Sequence, residues 1–168
     1  MMEFINKNNN KMNTYIGITD GNRQSVVNEL TVLLADEYVL YTKTRNAHWN
    51  VGGVDFYDKH KFFESQYEHL DIIIDNVAER IRSLGHYATA TLRSFLELTH
   101  LAEIKEENSD SQTYIKDLLK DHENIIIHLR ENIHRFGNEF NDFGTSDFIT
   151  GLMEEHEKMA WFLRSHLK

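Results

Sequence analysis

The sequence predicts an all-α protein, a four-helix bundle with a short extra helix in the long crossover between the second and third long helices. Three observations favour this fold class. The 168-residue chain contains no proline, and its apolar residues recur at helical spacing in four long stretches. Polar segments with cap residues and glycines separate these stretches. The length suits one domain with a real hydrophobic core.

The first long helix is predicted to follow a polar N-terminal segment. We expect residues 1–20 to form a flexible tail and residues 21–168 to form the folded domain. Asp20 and Asn22 are candidate caps. The helix continues to His48, near its inward C-terminal end, and Val51-Gly52-Gly53 ends it. Its apolar stripe consists of Leu30, Leu33, Leu34, Leu40 and Tyr41.

The second helix, from Asp55 to Gly85, carries two rows of side chains. The apolar row falls within about 80° of the helix circumference and predicts a buried face. It consists of Phe63, Tyr67, Leu70, Ile74, Val77 and Ile81. The second row, His60, Glu64, Asp75 and Glu79, flanks that face. These side chains are ligand types for a cation such as iron, although a solvated flank with charges four residues apart is a common alternative.

Distance along this helix limits what the second row can bind. His60 and Glu64 can share one metal ion, and so can Asp75 and Glu79. The rise from Glu64 to Asp75 is about 16 Å, too far for one ion to reach both pairs in one chain. If both pairs are ligands, a second copy of the helix must cross this one antiparallel about a two-fold axis, giving two identical sites per dimer.

The rest of the chain completes the bundle. Residues 86–108 form the crossover, with a small helix around Leu92–Leu98. A cap within Ser109–Ser111 begins the third long helix, which Gly137 ends. Residues 137–145 form a loop, and Thr145 or Ser146 caps the fourth helix. His122 and His156 fall on apolar rows, so we expect hydrogen-bonded core histidines.

Composition excludes several function classes. Without cysteine there are no disulfides, thiolate zinc sites or iron–sulfur clusters. The net charge of −9, from 18 basic and 27 acidic residues, opposes broad nucleic-acid binding and attracts cations. No apolar run is long enough for a membrane span, and the N-terminus lacks a signal-peptide core. We therefore expect a cytoplasmic protein without membrane contact.

Two Glu-x-x-His pairs, Glu97/His100 and Glu131/His134, have the spacing of di-iron ligands inside a helical bundle. Glu97 lies in the short crossover helix. Glu131 is about 200° from Leu129 and about 160° from Ile133 around its helix, and so points to solvent. We therefore expect neither pair to build a di-iron site within one bundle.

The spacing of His48, His60, Glu64, Asp75 and Glu79 resembles the Dps family of mini-ferritins, and the resemblance covers nearly the whole folded body. The matching segments are NAHWNV around His48, H-x-x-x-E at His60, D-x-x-x-E-R at Asp75 and the terminal EKMAWFLR. The family implies a ferritin-like four-helix bundle assembled as a hollow homo-dodecamer. Many members have Asp where this chain has Glu64, and the longer side chain affects metal spacing.

By this resemblance, His48, His60 and Glu64 come from one chain and Asp75 and Glu79 from its partner. These five residues are then both the metal ligands and the catalytic residues of a ferroxidase. It oxidises Fe(II) with hydrogen peroxide, preferred to dioxygen, and stores ferric mineral, which protects the cell from oxidative damage. The cofactor is iron, with no organic group. Since only neutral imidazole binds metal, iron uptake should fall below about pH 6.

The family also suggests roles outside the ligand set. Trp49 matches a tryptophan beside the iron site and is a candidate electron or radical relay. Asp147 matches a pore position and Asp142 is close by, although Asp147 is equally a first-turn acid that favours the helix dipole. Glu68 and Asp71 are candidates for mineral nucleation or are simply solvated charges.

The alternative function is a nucleoid-associated protein that binds and condenses DNA with little catalytic role. The family name suggests it, but the N-terminal segment supplies only Lys7 and Lys11 as basic residues. With the net charge of −9, we expect DNA binding to be weak or absent.

Overall fold

The computed structural model describes residues 14–103 and 109–167. These residues form five α-helices and no strand: α1 (Asp20–Asn50), α2 (Phe56–Ser83), α3 (Leu92–Leu98), α4 (Ser111–His134) and α5 (Phe143–Ser165). The helices α1 and α2 pack as one antiparallel pair and α4 and α5 as another, while α3 lies against α1. The predicted four-helix bundle with a short crossover helix is confirmed. Residues 1–13 of the predicted tail and residues 104–108 of the crossover lie outside the described residues.

One hydrophobic core joins the four long helices. Each buried leucine or phenylalanine stabilises the fold by roughly 1.5–3 kcal/mol relative to its exposed state. The fully enclosed side chains come from every long helix and include Leu30, Leu40, Phe63, Leu70, Ile81, Ile115 and Leu163. No described helix is both long enough and apolar enough to cross a membrane.

The buried row of α2 is rotated from the predicted one. Gln66 and Ile73 are buried, whereas Tyr67 and Ile74 are only partly covered. The row therefore turns away from the side that carries His60 and Glu64. Tyr67 and Ile74 lie between the core and that side, where they are only partly covered. This leaves a broad face of α2 open in the single chain.

Two helices, α1 and α5, have N-cap residues other than the predicted ones. Thr19, not Asp20 or Asn22, caps α1, because its hydroxyl accepts a hydrogen bond from the Asn22 N–H at 3.2 Å. Asp142, not Thr145 or Ser146, caps α5 and accepts from the Thr145 N–H at 2.9 Å. Helix α4 begins as expected, with Asp110 accepting from the Thr113 N–H.

A π-helical turn over Arg135–Glu139 extends α4 past the expected end at Gly137. The widened turn leads into Phe140, whose carbonyl accepts a hydrogen bond from the Asn22 side chain at 2.9 Å. Gly137 is buried where the Phe143 ring approaches, which leaves little room for a larger side chain. The predicted loop 137–145 is therefore shorter in the structure, and it ties the end of α4 to the start of α1.

Candidate metal centre

His48 and His60 face each other where α1 ends and α2 begins. Their rings stack with centroids 3.8 Å apart and planes inclined at 22°. The chain between them, residues 51–55, is a short connection that brings the two helix ends together. Because His48 is the third-last residue of α1 and His60 lies in the second turn of α2, this connection sets the ring contact. The structure thus brings together the two predicted imidazole ligands.

Two reciprocal hydrogen bonds fix the orientation of these rings. The Nδ1 atom of His48 lies 2.9 Å from the carbonyl oxygen of His60, and the Nδ1 atom of His60 lies 2.8 Å from the carbonyl oxygen of His48. A carbonyl oxygen only accepts, so each Nδ1 must carry the proton. In the neutral ring the lone pair then resides on Nε2. Anchoring one ring nitrogen to a carbonyl is the usual way in which proteins orient histidine ligands for a metal.

Glu64 lies one turn after His60 on the same side of α2. Its carboxylate accepts a hydrogen bond from Lys61. That hydrogen bond is the main reason why the pKa of Glu64 lies below its ordinary value, and the charges of His48 and His60 act in the same direction. The carboxylate is therefore ionised, but in the single chain its ligand atoms and those of the two imidazoles do not all lie within 4.8 Å of one another. Two imidazoles and a carboxylate form a donor set that suits Fe(II).

Asp75 and Glu79 lie farther along α2, and both are exposed. The helix is continuous from Phe56 to Ser83, so Asp75 stands about 16 Å of rise beyond Glu64. The single chain therefore presents two separate groups of donors on one face of one helix. Neither group alone provides a full coordination shell for a metal ion.

Aromatic and apolar side chains surround the histidine pair. The Tyr67 ring meets the His48 ring edge-on at 5.2 Å. The Arg45 guanidinium lies 4.4 Å from the Tyr67 ring centroid and 5.0 Å from that of Trp49. Trp49 itself is 65% exposed. Other large apolar side chains exposed along this part of α2 and its N-terminal connection are Val54, Phe56, Tyr57 and Ile72. An apolar surface beside an incomplete donor set fits contact with another subunit.

The two predicted pore residues have different environments. Asp142 is only 2% exposed, and its oxygens accept hydrogen bonds from the backbone and hydroxyl of Thr145 and from Arg80. Its carboxylate is engaged within the subunit as the cap of α5, and this leaves Asp147 as the pore candidate. Asp147 lies exposed in the first turns of α5. Glu68 and Asp71 are exposed on α2.

The expected core histidines form a buried chain of polar groups. His122 and His156 are joined through their Nδ1 atoms at 3.0 Å. The Nε2 atom of His156 lies 2.8 Å from a carboxylate oxygen of Glu37, and all three side chains are almost fully buried. Burial, reinforced by His156, lowers the pKa of His122 well below its ordinary value. The prediction that these histidines are hydrogen-bonded within the bundle is confirmed.

The Glu-x-x-His pairs do not converge inside the bundle. Glu97 and Glu131 are both exposed. His100 instead lies beside Asp36 and His128, and the three offer ligand atoms that all lie within 4.8 Å of one another. Nothing in the sequence indicates this cluster, because its members come from three separate parts of the chain. Only the tertiary fold brings them together.

Comparisons with known proteins agree with this architecture. Residues 27–168 match the ferritin-like domain family. An uncharacterised low temperature-induced protein of Nostoc sp. is 45% identical over 91% of this chain and 86% of its own length. DNA protection during starvation protein 2 of Bacillus anthracis is 34% identical over 86% of this chain and 97% of its own.

A solved structure extends the likeness to the fold. It is a Dps protein of Vibrio cholerae O1, described as a member of a broad superfamily of ferritin-like diiron-carboxylate proteins. It superposes with a TM-score of 0.84 at 27% identity, covering 93% of this chain and all of that one. The chain belongs to the Dps family of ferritin-like proteins. This family is associated in general with iron storage and protection against oxidative damage.

Proposed function

We propose that this protein is a ferroxidase and iron store whose substrate, Fe(II), binds between two-fold-related subunits. His48, His60 and Glu64 come from one subunit, and Asp75 and Glu79 come from its partner. The oxidised iron is stored as ferric mineral inside a homo-dodecamer. Asp147 lines a pore by which iron enters, and Trp49 stands beside the site as an electron relay.

The observation that carries this proposal is the carbonyl-anchored pair of imidazoles. Both Nδ1 atoms are occupied by backbone acceptors, which leaves both Nε2 atoms as metal donors. A structural histidine pair has no need of two such free lone pairs on the side of the molecule where Glu64 follows one helical turn later. The exposed carboxylates of Asp75 and Glu79 supply the remaining donors only if a second α2 crosses the first.

The chemistry follows from the donor types. Imidazoles and carboxylates bind Fe(II) while leaving coordination positions open to an oxidant. Two Fe(II) ions each give up one electron, and one hydrogen peroxide accepts both and is reduced to two hydroxide ions. A two-electron reduction releases no hydroxyl radical. The negative carboxylates favour the more highly charged ferric product, which then hydrolyses and leaves for the cavity.

The double variant His60→Ala/Asp75→Ala tests the function. It removes one donor from each group, so peroxide-dependent Fe(II) oxidation should fall at least about tenfold, in line with the usual loss when support for a metal ligand is removed. Oxidation is followed by the absorbance of ferric iron after anaerobic Fe(II) loading and peroxide addition. Size-exclusion chromatography with light scattering reports whether the assembly is retained.

The matched control is His134→Ala/Asp117→Ala. It removes the same two residue types from exposed positions on α4, outside the proposed site. This control should oxidise iron at the rate of the unmodified protein. Rapid oxidation by an assembled His60→Ala/Asp75→Ala variant would place the reaction elsewhere and defeat the proposal.

A further inference from the structure

A second group of metal-ligand side chains lies on the other side of α1, where the crossover returns to the bundle. Asp36 comes from α1, His100 follows α3 and His128 comes from α4. Their ligand atoms all lie within 4.8 Å of one another. Asp36 precedes His48 by about 18 Å of helix rise, so this group is separate from the site described above. It does not depend on the proposed function.

The Asp36 carboxylate is held in a fixed orientation that points one of its oxygens towards His100. The side chain is only 3% exposed. One oxygen, Oδ1, accepts hydrogen bonds from the Thr99 hydroxyl at 2.7 Å and from the His100 N–H at 2.6 Å. The other oxygen, Oδ2, lies 3.2 Å from the Nδ1 atom of His100. Thus one oxygen is fixed by donors from the crossover while the other faces an imidazole.

The two imidazoles lie against each other. The His100 and His128 ring centroids are 4.3 Å apart, and the planes are nearly perpendicular at 80°. His128 is half-buried on α4, whereas the His100 side chain is 50% exposed and has room to turn. A zinc-class ion with bonds of about 2.0–2.1 Å places neighbouring ligand atoms roughly 3.4 Å apart. Small rotations of the exposed imidazole suffice to close the cluster around an ion.

A cavity of about 30 Å³ adjoins these three side chains. Glu29 and Asn132 contribute polar groups to its wall, and Leu33 and Leu129 contribute apolar ones. A volume of this size holds at least one water molecule or small ion. The cluster therefore has both donors and space for one small ligand.

We propose that Asp36, His100 and His128 form a second cation site that binds one divalent transition-metal ion of the zinc class. Two nitrogens and one carboxylate oxygen favour such an ion over Mg²⁺ or Ca²⁺, which prefer all-oxygen ligands. The ion joins α1, α4 and the end of the crossover. Water entering from the adjoining cavity completes the coordination.

The test uses the assembled, full-length His60→Ala/Asp75→Ala protein, so that the first site lacks one donor from each of its two groups. Co²⁺ alone is titrated and followed by its visible absorption, and Zn²⁺ is then added in competition. We expect about one Co²⁺ per subunit with low-symmetry nitrogen and oxygen coordination, displaced by Zn²⁺. In that same background, His100→Ala or His128→Ala should lower the Co²⁺ affinity by at least about tenfold.

Two further variants sharpen this experiment. Thr99→Val removes the hydroxyl that orients Asp36 without removing a ligand, and the affinity for Co²⁺ should fall by about 10–100-fold. His134→Ala removes an exposed histidine from α4 outside the cluster, and the affinity should not change. Circular dichroism confirms that each variant is folded. Failure of the parent to bind Co²⁺, or equal binding by the folded His128→Ala variant, would overturn the proposed site.

Discussion

The Glu64 carboxylate already binds one cation, the Lys61 ammonium, and is proposed to bind a second, Fe(II). In the structure it accepts a hydrogen bond from Lys61, an exposed side chain three residues earlier on α2. That lysine lowers the pKa of Glu64 and occupies part of its acceptor capacity. An arriving Fe(II) ion must therefore displace the lysine from this oxygen or bind beside a positive charge.

The variant Lys61→Met should bind Fe(II) more tightly. It keeps the aliphatic stem and removes the competing charge. Exposed ion pairs of this kind contribute little, so the expected gain in affinity is small, at most about fivefold. Anaerobic calorimetric titration with Fe(II) measures it. Lys116→Met, an exposed cation on α4, is the control, and weaker binding by Lys61→Met would show that the lysine assists the site.

The sequence predicts which candidate ligands lie on the same side of the molecule only where they share one element or its immediate neighbour. His60, Glu64, Asp75 and Glu79 belong to one helix, so their common side follows from the 100° turn per residue. Nothing in the spacing of the chain indicates the carbonyl bonds that orient the imidazoles. Those bonds depend on the path of the connection between α1 and α2. The cluster at Asp36 depends on still longer-range packing and was missed for the same reason.

At the scale of the helices, Gly85 ends α2 where only glycine fits. Its φ angle is +85°, and an added Cβ would collide with the Thr14 side chain and approach Arg23. Left-handed backbone costs roughly 1–2 kcal/mol for other residues. The variant Gly85→Ala should therefore lose at least about 1 kcal/mol of the free energy of unfolding, as measured by urea denaturation.

Gly151 provides the matched comparison. It lies inside α5, and an added Cβ meets nothing within 4 Å. Alanine loses less backbone freedom on helix formation, so Gly151→Ala should stabilise the protein by about 0.5–1 kcal/mol. If both variants change the free energy of unfolding in the same direction, the left-handed backbone at Gly85 and the helical backbone at Gly151 do not determine the effect of alanine.

The chain Glu37–His156–His122 joins α1, α5 and α4 and makes stability depend on pH. The folded pKa of His122 lies well below the ordinary value of about 6.5, so the unfolded chain binds its proton more readily. The stabilisation from this histidine is complete above about pH 6.5 and is lost as the pH falls below it. The loss for one group is at most about 1.4 kcal/mol per pH unit.

The variant His122→Gln should reduce this dependence, because an amide can still bond to His156 but does not titrate. Urea unfolding at pH 7.5, 6 and 5, at one protein concentration, should give a flatter profile than the unmodified protein. His134→Gln removes an exposed histidine from the same helix and serves as the control. A profile for His122→Gln as steep as that of the unmodified protein would contradict the role of His122.

The helices themselves follow from periodicity and glycine, but their ends do not. Four long stretches of helically spaced apolar residues and the absence of proline were sufficient to predict the bundle. The predicted caps were wrong at α1 and α5 because several capping residue types stand close together there. Thr19 and Asp142 prevail through backbone geometry at the junctions. The π-helical turn at Arg135–Glu139 has no signature in the apolar spacing.

For the whole molecule, the proposed sharing of ligands between subunits permits a complementation experiment. His60→Ala and Asp75→Ala subunits, each inactive alone, are unfolded together and refolded as an equal mixture. In a mixed dimer, one site lacks both residues while the other is complete. Random pairing makes about half of the dimers mixed, so about one quarter of the unmodified activity should return.

The control mixes His60→Ala with His60→Ala/Asp75→Ala. Every site in that mixture lacks His60, so no activity should return. Mass spectrometry of differently labelled subunits confirms the extent of mixing. A mixture of the two single variants that remains inactive despite thorough exchange would show that the ligands of one site do not come from two chains.

The bonds between each imidazole and the opposite carbonyl have a kinetic consequence. Both rings lose their rotational freedom when the chain folds, so in the proposed site the two imidazoles need no conformational search to bind an ion. For these two imidazoles, the proposed uptake then depends on how often ions encounter the surface. A net charge of −9 raises that encounter frequency, and dissolved salt screens it. Under the proposed function, two short local contacts thus leave the rate of iron loading to the electrostatic field of the whole protein.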